Sequence, residues 1–405
     1  MNTAFCNSTI PQKLSLRKQL LFLKTSFTAP SFENLVGIVR SVLKHSKAGN
    51  LSRMANDIDK CISTVSHFFN GARWNIGDVR EMIREKLLSS PLTKIEDGDI
   101  AAFDESSISK KGDTFEFIGE TWDNAEKEIH DGYSLMACAI VSKKKKTRYL
   151  FDEILFSNKD PKFKSIPSVV LRILKRLFAR TNISTVVFDR GFRNAHIVKY
   201  IVNAKRNFIV RATGSMVIWS ADKKRCCFSD IKTMDGARFE NLTVEGKSGW
   251  SVAWYTGVVN AWTRTLRVPF TVIVVARPSF RYPMILITNL PIGNSKEAFA
   301  IYETYLNRWK IEILFQDIKA LGLETFRVRS KKAIMKYFIV VILIHSFLTL
   351  QLAWTRGFAS LETRVSALLR AKRKIPKLLF GGMKILYELL FNRVIFMRNL
   401  GENSV

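Results

Sequence analysis

Apolar positions along this 405-residue chain change their spacing near residue 100, and the change separates two kinds of structure. Between residues 31 and 89 they recur every three or four positions, in SFENLVGIVRSVLKH, NLSRMANDIDKCISTVSHFFNG and ARWNIGDVREMIREKLL. That period predicts amphipathic helices. Ser31 is the expected N-cap of the first, with Glu33 in its first turn, and the last begins near Asn75. Two short helices, around 51–57 and 61–69, joined by a tight turn at 57–60, read as helix-turn-helix-like. In that reading Ser63, Thr64, Ser66 and His67 face a DNA groove, although any small helical bundle carries the same spacing. Residues 91–98 read as a linker.

From residue 100 the pattern turns to short apolar runs and period-two alternation, alternating with helical stretches. Strands are expected at 100–103, 133–142, 147–156, 183–188, 208–212 and 284–290, and helices at 167–180, 195–204 and 299–321. The lysines at 143–146 form a hairpin turn, either solvated or a phosphate contact. Residues 213–285 differ, with Trp219, Trp250, Trp254 and Trp262 among regularly spaced strands and frequent Gly. They read as a β-rich insertion. Residues 337–353 are almost wholly apolar. His345, Ser346, Thr349 and Gln351 interrupt them, so a buried core helix packed under the sheet is favoured over a membrane span. Residues 355–405 form a basic helical tail, densest at ALLRAKRKIPKLL. The chain thus divides into an N-terminal helical, DNA-binding domain (1–95), an α/β domain (96–354) with its insertion, and the tail.

Charge adds a partner. There are 64 Lys and Arg against 35 Asp and Glu, a net +29, which calls for a polyanion. Residues 1–95 carry 14 basic and 6 acidic side chains, and residues 325–405 carry 15 and 3, so both flanks can grip phosphates. The five Cys are odd in number and lack metal-ligand spacing. They read as reduced thiols of a cytoplasmic protein. Residues 19–27 are too short and too polar for a secretory core, and five His make a zinc site an unfavoured reading.

The candidate chemistry lies on the helix at 299–321. Tyr305, Arg308, Glu312 and Lys319 follow Tyr-x2-Arg-x3-Glu-x6-Lys. At about 100° per residue they share an arc of roughly 60°. A solvated face of weak ion pairs has the same ingredients. One face bearing a carboxylate, two cations and a phenol also suits a metal ion and a phosphate together. Two acids upstream enlarge the set. Asp104 ends the apolar run 100–103, and Asp189 ends the run 183–188, before Arg190 and Gly191. An Asp at a strand tip serves as a turn or cap, or as a ligand at the sheet edge. Three carboxylates can hold two hard divalent cations for phosphodiester chemistry.

On FDESSISKKG, VVFDRGF and YLNRWKIEILFQDIK, in that order, the chain resembles the DDE transposases of bacterial insertion sequences, in the group marked by a Tyr-Arg-Glu-Lys signature. The resemblance spans about residues 100–348. It implies a ribonuclease H-like mixed sheet flanked by helices, with the β-rich insertion between the second Asp and the Glu. It implies that Asp104, Asp189 and Glu312 are the catalytic, metal-binding triad, holding two Mg²⁺ ions with Mn²⁺ able to substitute. Tyr305, Arg308 and Lys319, with Arg190 beside the second Asp, then contact transposon-end DNA. A Trp of the insertion stacks on a displaced base, Trp250 and Trp254 being the candidates. The implied activity is cut-and-paste transposition by a homodimer on double-stranded DNA, with no membrane involved. Two alternatives stay open: a derivative that only binds DNA, and a nuclease on the same fold.

Overall fold

The change of period at residue 100 is a change of architecture. The computed structural model describes residues 16–45, 48–112, 114–123, 126–214, 217–219, 225–227, 237–244, 247–258, 270–277 and 282–354. The tail expected at 355–405 and Trp262 lie outside them. One unit gathers the N-terminal helices through Lys86 with Ala320–Ile344; the other holds Leu87–Lys319 and resumes at His345.

The first unit contains α1 (Leu16–Gln19), a 3₁₀ turn (Leu21–Ser26), α2 (Ala29–His45), α3 (Leu51–Asp57), α4 (Ile62–Asn70) and most of α5 (Ile76–Ser89). Thr28, not Ser31, caps α2: its Oγ1 accepts from the Ser31 N–H at 3.4 Å. Pro30 is tolerated in the first turn, where its missing N–H costs no helical bond. Asp57 ties α2 to α3, accepting from Ser41 Oγ (2.6 Å) and Lys44 Nζ (2.8 Å) beside His45 Nε2 (2.8 Å). Burial pushes the Asp57 carboxyl up, but those bonds and the His45 charge outweigh it and hold it below the usual range. Ser63 and His67 are exposed on α4, and Val65, Phe68 and Phe69 are buried, as the amphipathic spacing requires.

The long apolar helix α10 (Lys331–Trp354) begins in this unit. Its first half packs against the helices of this unit, where two polar side chains find partners. Lys336 Nζ donates to the Ala72 carbonyl at 2.5 Å and lies 4.7 Å from the Trp74 ring centroid. Tyr337 stands 5.8 Å from the Phe69 ring and donates to the Gly322 carbonyl at 2.8 Å. Lys331–Leu350 is long and apolar enough to cross a membrane, yet 83% of that stretch is buried inside the protein. It is a core helix, as its interrupting polar residues suggested.

The second unit is built on a mixed sheet. Its strands are β1 (Ile100–Ser109), β2 (Gly119–Asp123), β3 (Glu128–Ser142), β4 (Thr147–Phe156), β5 (Thr185–Phe188) and β6 (Asn207–Ala212). A separate two-stranded pair, β7 (Val217–Trp219) and β8 (Arg225–Cys227), follows. Then come β9 (Arg238–Val244), β10 (Lys247–Val258), β11 (Phe270–Ala276) and β12 (Met284–Thr288). Among the described residues the order is β2-β3-β1-β5-β6-β12-β11-β10-β9, with β4 also on β3. β1, β3 and β4 are antiparallel neighbours, whereas β1, β5 and β6 run parallel. This is the ribonuclease H-like arrangement. Helix α6 (Ile166–Arg180), capped by Ser165, packs on β3 and β4, and α7 (Ala195–Asn203) packs on β6. The region expected to be a β-rich insertion is partly continuous with the core: β9, β10 and β11 extend the same sheet through β12. The reason is that the long apolar run of β11 pairs on both sides, with β10 and β12.

The β2–β3 hairpin had no clear signal, since its strand residues mix acids with Thr and Trp. Gly132 makes it possible. There β3 pairs with both Ser109 and Gly119, and a Cβ would lie 2.2 Å from the Ile108 carbonyl oxygen. Gly132→Ala should therefore lower stability by about 1–3 kcal/mol, read as a lower denaturant midpoint at constant m-value.

Candidate active site

Two apolar strands deliver two acids side by side. β1 and β5 pair in parallel from Ile100 opposite Thr185 to Phe103 opposite Phe188. Both Phe side chains are buried, with ring centroids 4.9 Å apart. The next residue on each strand is an acid, Asp104 and Asp189. β5 ends there in a 3₁₀ turn, Arg190–Phe192, whose Phe192 N–H bonds the Asp189 carbonyl at 3.1 Å. β1 does not end. Asp104 was expected at a strand tip, but β3 continues to pair with β1 as far as Ser109. Asp104 is thus a mid-strand residue, half-buried and placed just past the point where its parallel neighbour β5 stops.

The expected helix at 299–321 is two helices, α8 (Ser295–Leu306) and α9 (Lys310–Ala320), joined by a 3₁₀ turn at Asn307–Trp309. Asn307 explains the break. Its backbone N–H bonds the Thr304 carbonyl, while its side chain takes the Glu303 carbonyl at 3.1 Å. A side chain that competes for a backbone carbonyl tightens the helix locally. The signature residues still face the acids. Tyr305 donates to Asp189 Oδ1 at 3.3 Å. Arg308 donates through Nη1 to Asp104 Oδ2 at 2.8 Å and through Nη2 to Glu312 Oε1 at 2.6 Å. Lys319 Nζ donates to the Ser107 carbonyl at 2.8 Å. One guanidinium therefore bridges the first and third acids, and the phenol holds the second.

The charges show strain among like groups. Burial pushes the Asp104 carboxyl up to about 6; Glu312 and Asp189 add to the rise, while Arg308 and the Glu105 N–H oppose it. Burial lifts the Tyr305 phenol to about 12, with Asp189 adding to it. Burial disfavours the Arg308 charge, but Asp104, Tyr305, Glu312 and Asp189 outweigh it and hold the guanidinium protonated. Crowded, half-buried carboxylates balanced by one cation form a donor set that suits hard divalent ions. Their oxygens are not all within 4.8 Å of one another. Among the described residues, that spacing is met by Glu126, Glu128 and His130 on the β2–β3 hairpin.

Arginines rim the second acid. Arg190 is exposed, and its carbonyl accepts from Arg193 Nε at 2.8 Å; Arg193 Nη1 donates to Thr213 Oγ1 at 3.3 Å. Burial and the Arg190 charge lower the Arg193 pKa. Arg211, on β6, acts on the Tyr305 phenol. Neither Arg193 nor Arg211 was singled out from the sequence. The signals were there: Arg193 completes the run DRGFR, and Arg211 interrupts an apolar strand. The expected base-stacking tryptophans fare differently. Trp254 is 2% exposed in β10, where its large ring fills the core, so it offers no face to a base. Trp250 lies in an aromatic cluster with Phe299 (5.2 Å) and Tyr302 (5.7 Å), and the Arg277 guanidinium sits 5.2 Å from its ring. The exposed tryptophans among the described residues are Trp122 (53%) and Trp309 (58%).

A ribonuclease H-like sheet with acids at the β1/β5 junction and on an apposed helix defines a class: nucleases and recombinases acting on nucleic-acid phosphodiesters. The chain belongs to the transposase DDE domain family, whose family model matches residues 97–347, more than half its length. No curated protein matches the sequence. As a family member it is a transposase-type enzyme, of a kind that uses divalent metal ions and DNA.

Proposed function

We propose that this protein is a cut-and-paste DNA transposase of a bacterial insertion sequence, acting in the cytoplasm on nucleoid DNA as a homodimer. In this reading Asp104, Asp189 and Glu312 are the catalytic acids and hold two Mg²⁺ ions, with Mn²⁺ able to replace them. When bound, such ions lower the pKa of the attacking water or hydroxyl and stabilise the leaving oxygen. The chain's own residues do the rest. Arg308, a planar fork, and Lys319, a point charge, hold phosphate oxygens at the cut site. Tyr305 orients Asp189 through its 3.3 Å bond. Arg190, with Arg193 and Arg211 behind it, neutralises the strand as it enters. The helical residues 1–95 and the basic tail add sequence-independent grip. The observation that carries the reading is the Arg308 bridge, which draws Asp104 and Glu312, 208 residues apart in the sequence, to one guanidinium.

The test is a reaction on duplex DNA bearing the terminal inverted repeats that flank the coding region, with Mg²⁺ and a target plasmid. Release of 3′-hydroxyl ends followed by their joining to the plasmid is expected. Cleavage without joining would favour a nuclease; binding without cleavage would favour a DNA-binding derivative. Lys319→Ala should weaken end binding and lower the slope of log affinity against log salt by about 1, as loss of one phosphate contact requires. An unchanged slope in a binding titration would remove Lys319 from the phosphate site.

A further inference from the structure

Charge inverts in the hairpin formed by β2 and the start of β3. Between residues 114 and 132 the chain holds Glu116, Glu120, Asp123, Glu126, Glu128 and Asp131 against a single Lys127. That is a net −5 in a chain of +29, leaving +34 on the remainder. The same hairpin exposes apolar surface. Trp122 and Ile129 stand opposite each other in the ladder and are 53% and 64% exposed. β2 ends the strand order, so the pair lies at a sheet edge. An exposed aromatic–aliphatic pair rimmed by charge has the make-up of an interface core with its polar rim.

Strand register places the patch. Alternation along β3 puts Trp122, Ile129, Glu120 and Asp131 on the sheet face that carries Asp104. Ile129 lies eight residues from Ala137, the partner of Asp104, which is about 27 Å along the strand. The patch therefore shares the active-site face but stands away from the acids. A DNA backbone reaching it would meet like charge, whereas a lysine- and arginine-rich protein surface would meet complementary charge.

We propose that this acidic hairpin is a docking surface for a second copy of this chain, seated against a basic part of it. The chain itself supplies the complement, in its +34. In a two-fold pair each hairpin grips the other copy, so the contact is made twice. The inference does not depend on strand joining: an inactive protein would still pair.

The test uses the full-length protein with photo-reactive benzoylphenylalanine in place of Trp122, as a mixture of light and isotopically heavy chains, with and without duplex DNA. A light–heavy adduct mapped to a Lys- or Arg-rich peptide is the expected product. Adducts to DNA alone, within one chain alone, or none at all overturn the proposal. In parallel, Glu120→Lys/Asp131→Lys and Trp122→Ala/Ile129→Ala should weaken self-association roughly 10-fold or more by sedimentation equilibrium, with the unfolding midpoint unchanged in both and the DNA affinity of the monomer unchanged in the charge-neutral Trp122→Ala/Ile129→Ala variant. Self-association at the wild-type constant in both variants would also overturn it. Failure of the transposase reading would appear elsewhere, as wild-type protein that pairs but does not cut.

Discussion

Glu312→Gln should reduce metal-dependent strand cleavage by about 1,000-fold or more while leaving end binding nearly intact. The substitution keeps the side chain's shape and removes its charge. In the structure Glu312 accepts from Arg308 at 2.6 Å, on the face of α9 turned toward Asp104. A neutral amide loses the anionic ligand and much of that bond, but Arg308 keeps Asp104. The fold should survive, because Glu312 is partly exposed and the helix is held by other buried residues of α9. Cleavage of an end-bearing duplex in Mg²⁺ measures the effect, and a filter-binding titration measures the DNA affinity. Cleavage at the wild-type rate would withdraw Glu312 from the metal assignment. A parallel fall in affinity and cleavage would make it a DNA contact instead.

The largest stability effect is expected at a buried charge network in the same unit. Arg148, at the start of β4, donates to Asp317 on α9 at 2.7 Å, with side chains 4% and 3% exposed. His345, buried on α10, lies within their electrostatic reach. Asp317→Ala takes the carboxylate away from a guanidinium that water cannot reach and should cost about 3–5 kcal/mol. The double variant Arg148→Met/Asp317→Leu should recover most of that loss, because an apolar pair of similar volume removes both desolvation penalties. Chemical denaturation decides: a single-variant loss below about 1 kcal/mol would mean that water or other groups satisfy Arg148 after all.

The same network carries a pH signature. Burial, with the Arg148 charge adding and Asp317 opposing, lowers the His345 pKa to about 4. The unfolded chain binds that proton near pH 6.5, the folded chain only near pH 4. Stability from this group is complete above the upper value and falls as pH drops through the window, by up to about 3 kcal/mol. His345→Gln should flatten the denaturation free energy between those two pH values.

Much of the fold could be read from the chain alone because its signals are local. The helical period over residues 31–89 gave α2, α3, α4 and α5. The β-branched run at 183–188 gave β5, which begins two residues later, at Thr185. Capping chemistry was less secure: Thr28 lies just ahead of Ser31, and both hydroxyls fit the role. The β2–β3 hairpin escaped because its sequence is polar and its register depends on Gly132 meeting two other strands. Trp254 looked available because an aromatic residue in a strand reads alike whether it faces core or solvent.

By itself the sequence determined the residue types and the spacing of the signature, and it determined the charge that calls for a polyanionic partner. It also carried the order of motifs on which the family resemblance rests. Tertiary structure alone decided that Asp104 sits in mid-strand, since β1 continues on β3 past the end of β5. It alone decided that Arg308 joins Asp104 to Glu312, that arginines rim Asp189, and that Glu120 and Asp131 of the hairpin share a face with the site. The physical reason is range. Periodicity, capping and charge are summed over a few neighbours along the chain, whereas register and side-chain approach are set by strands and helices up to about two hundred residues apart in sequence.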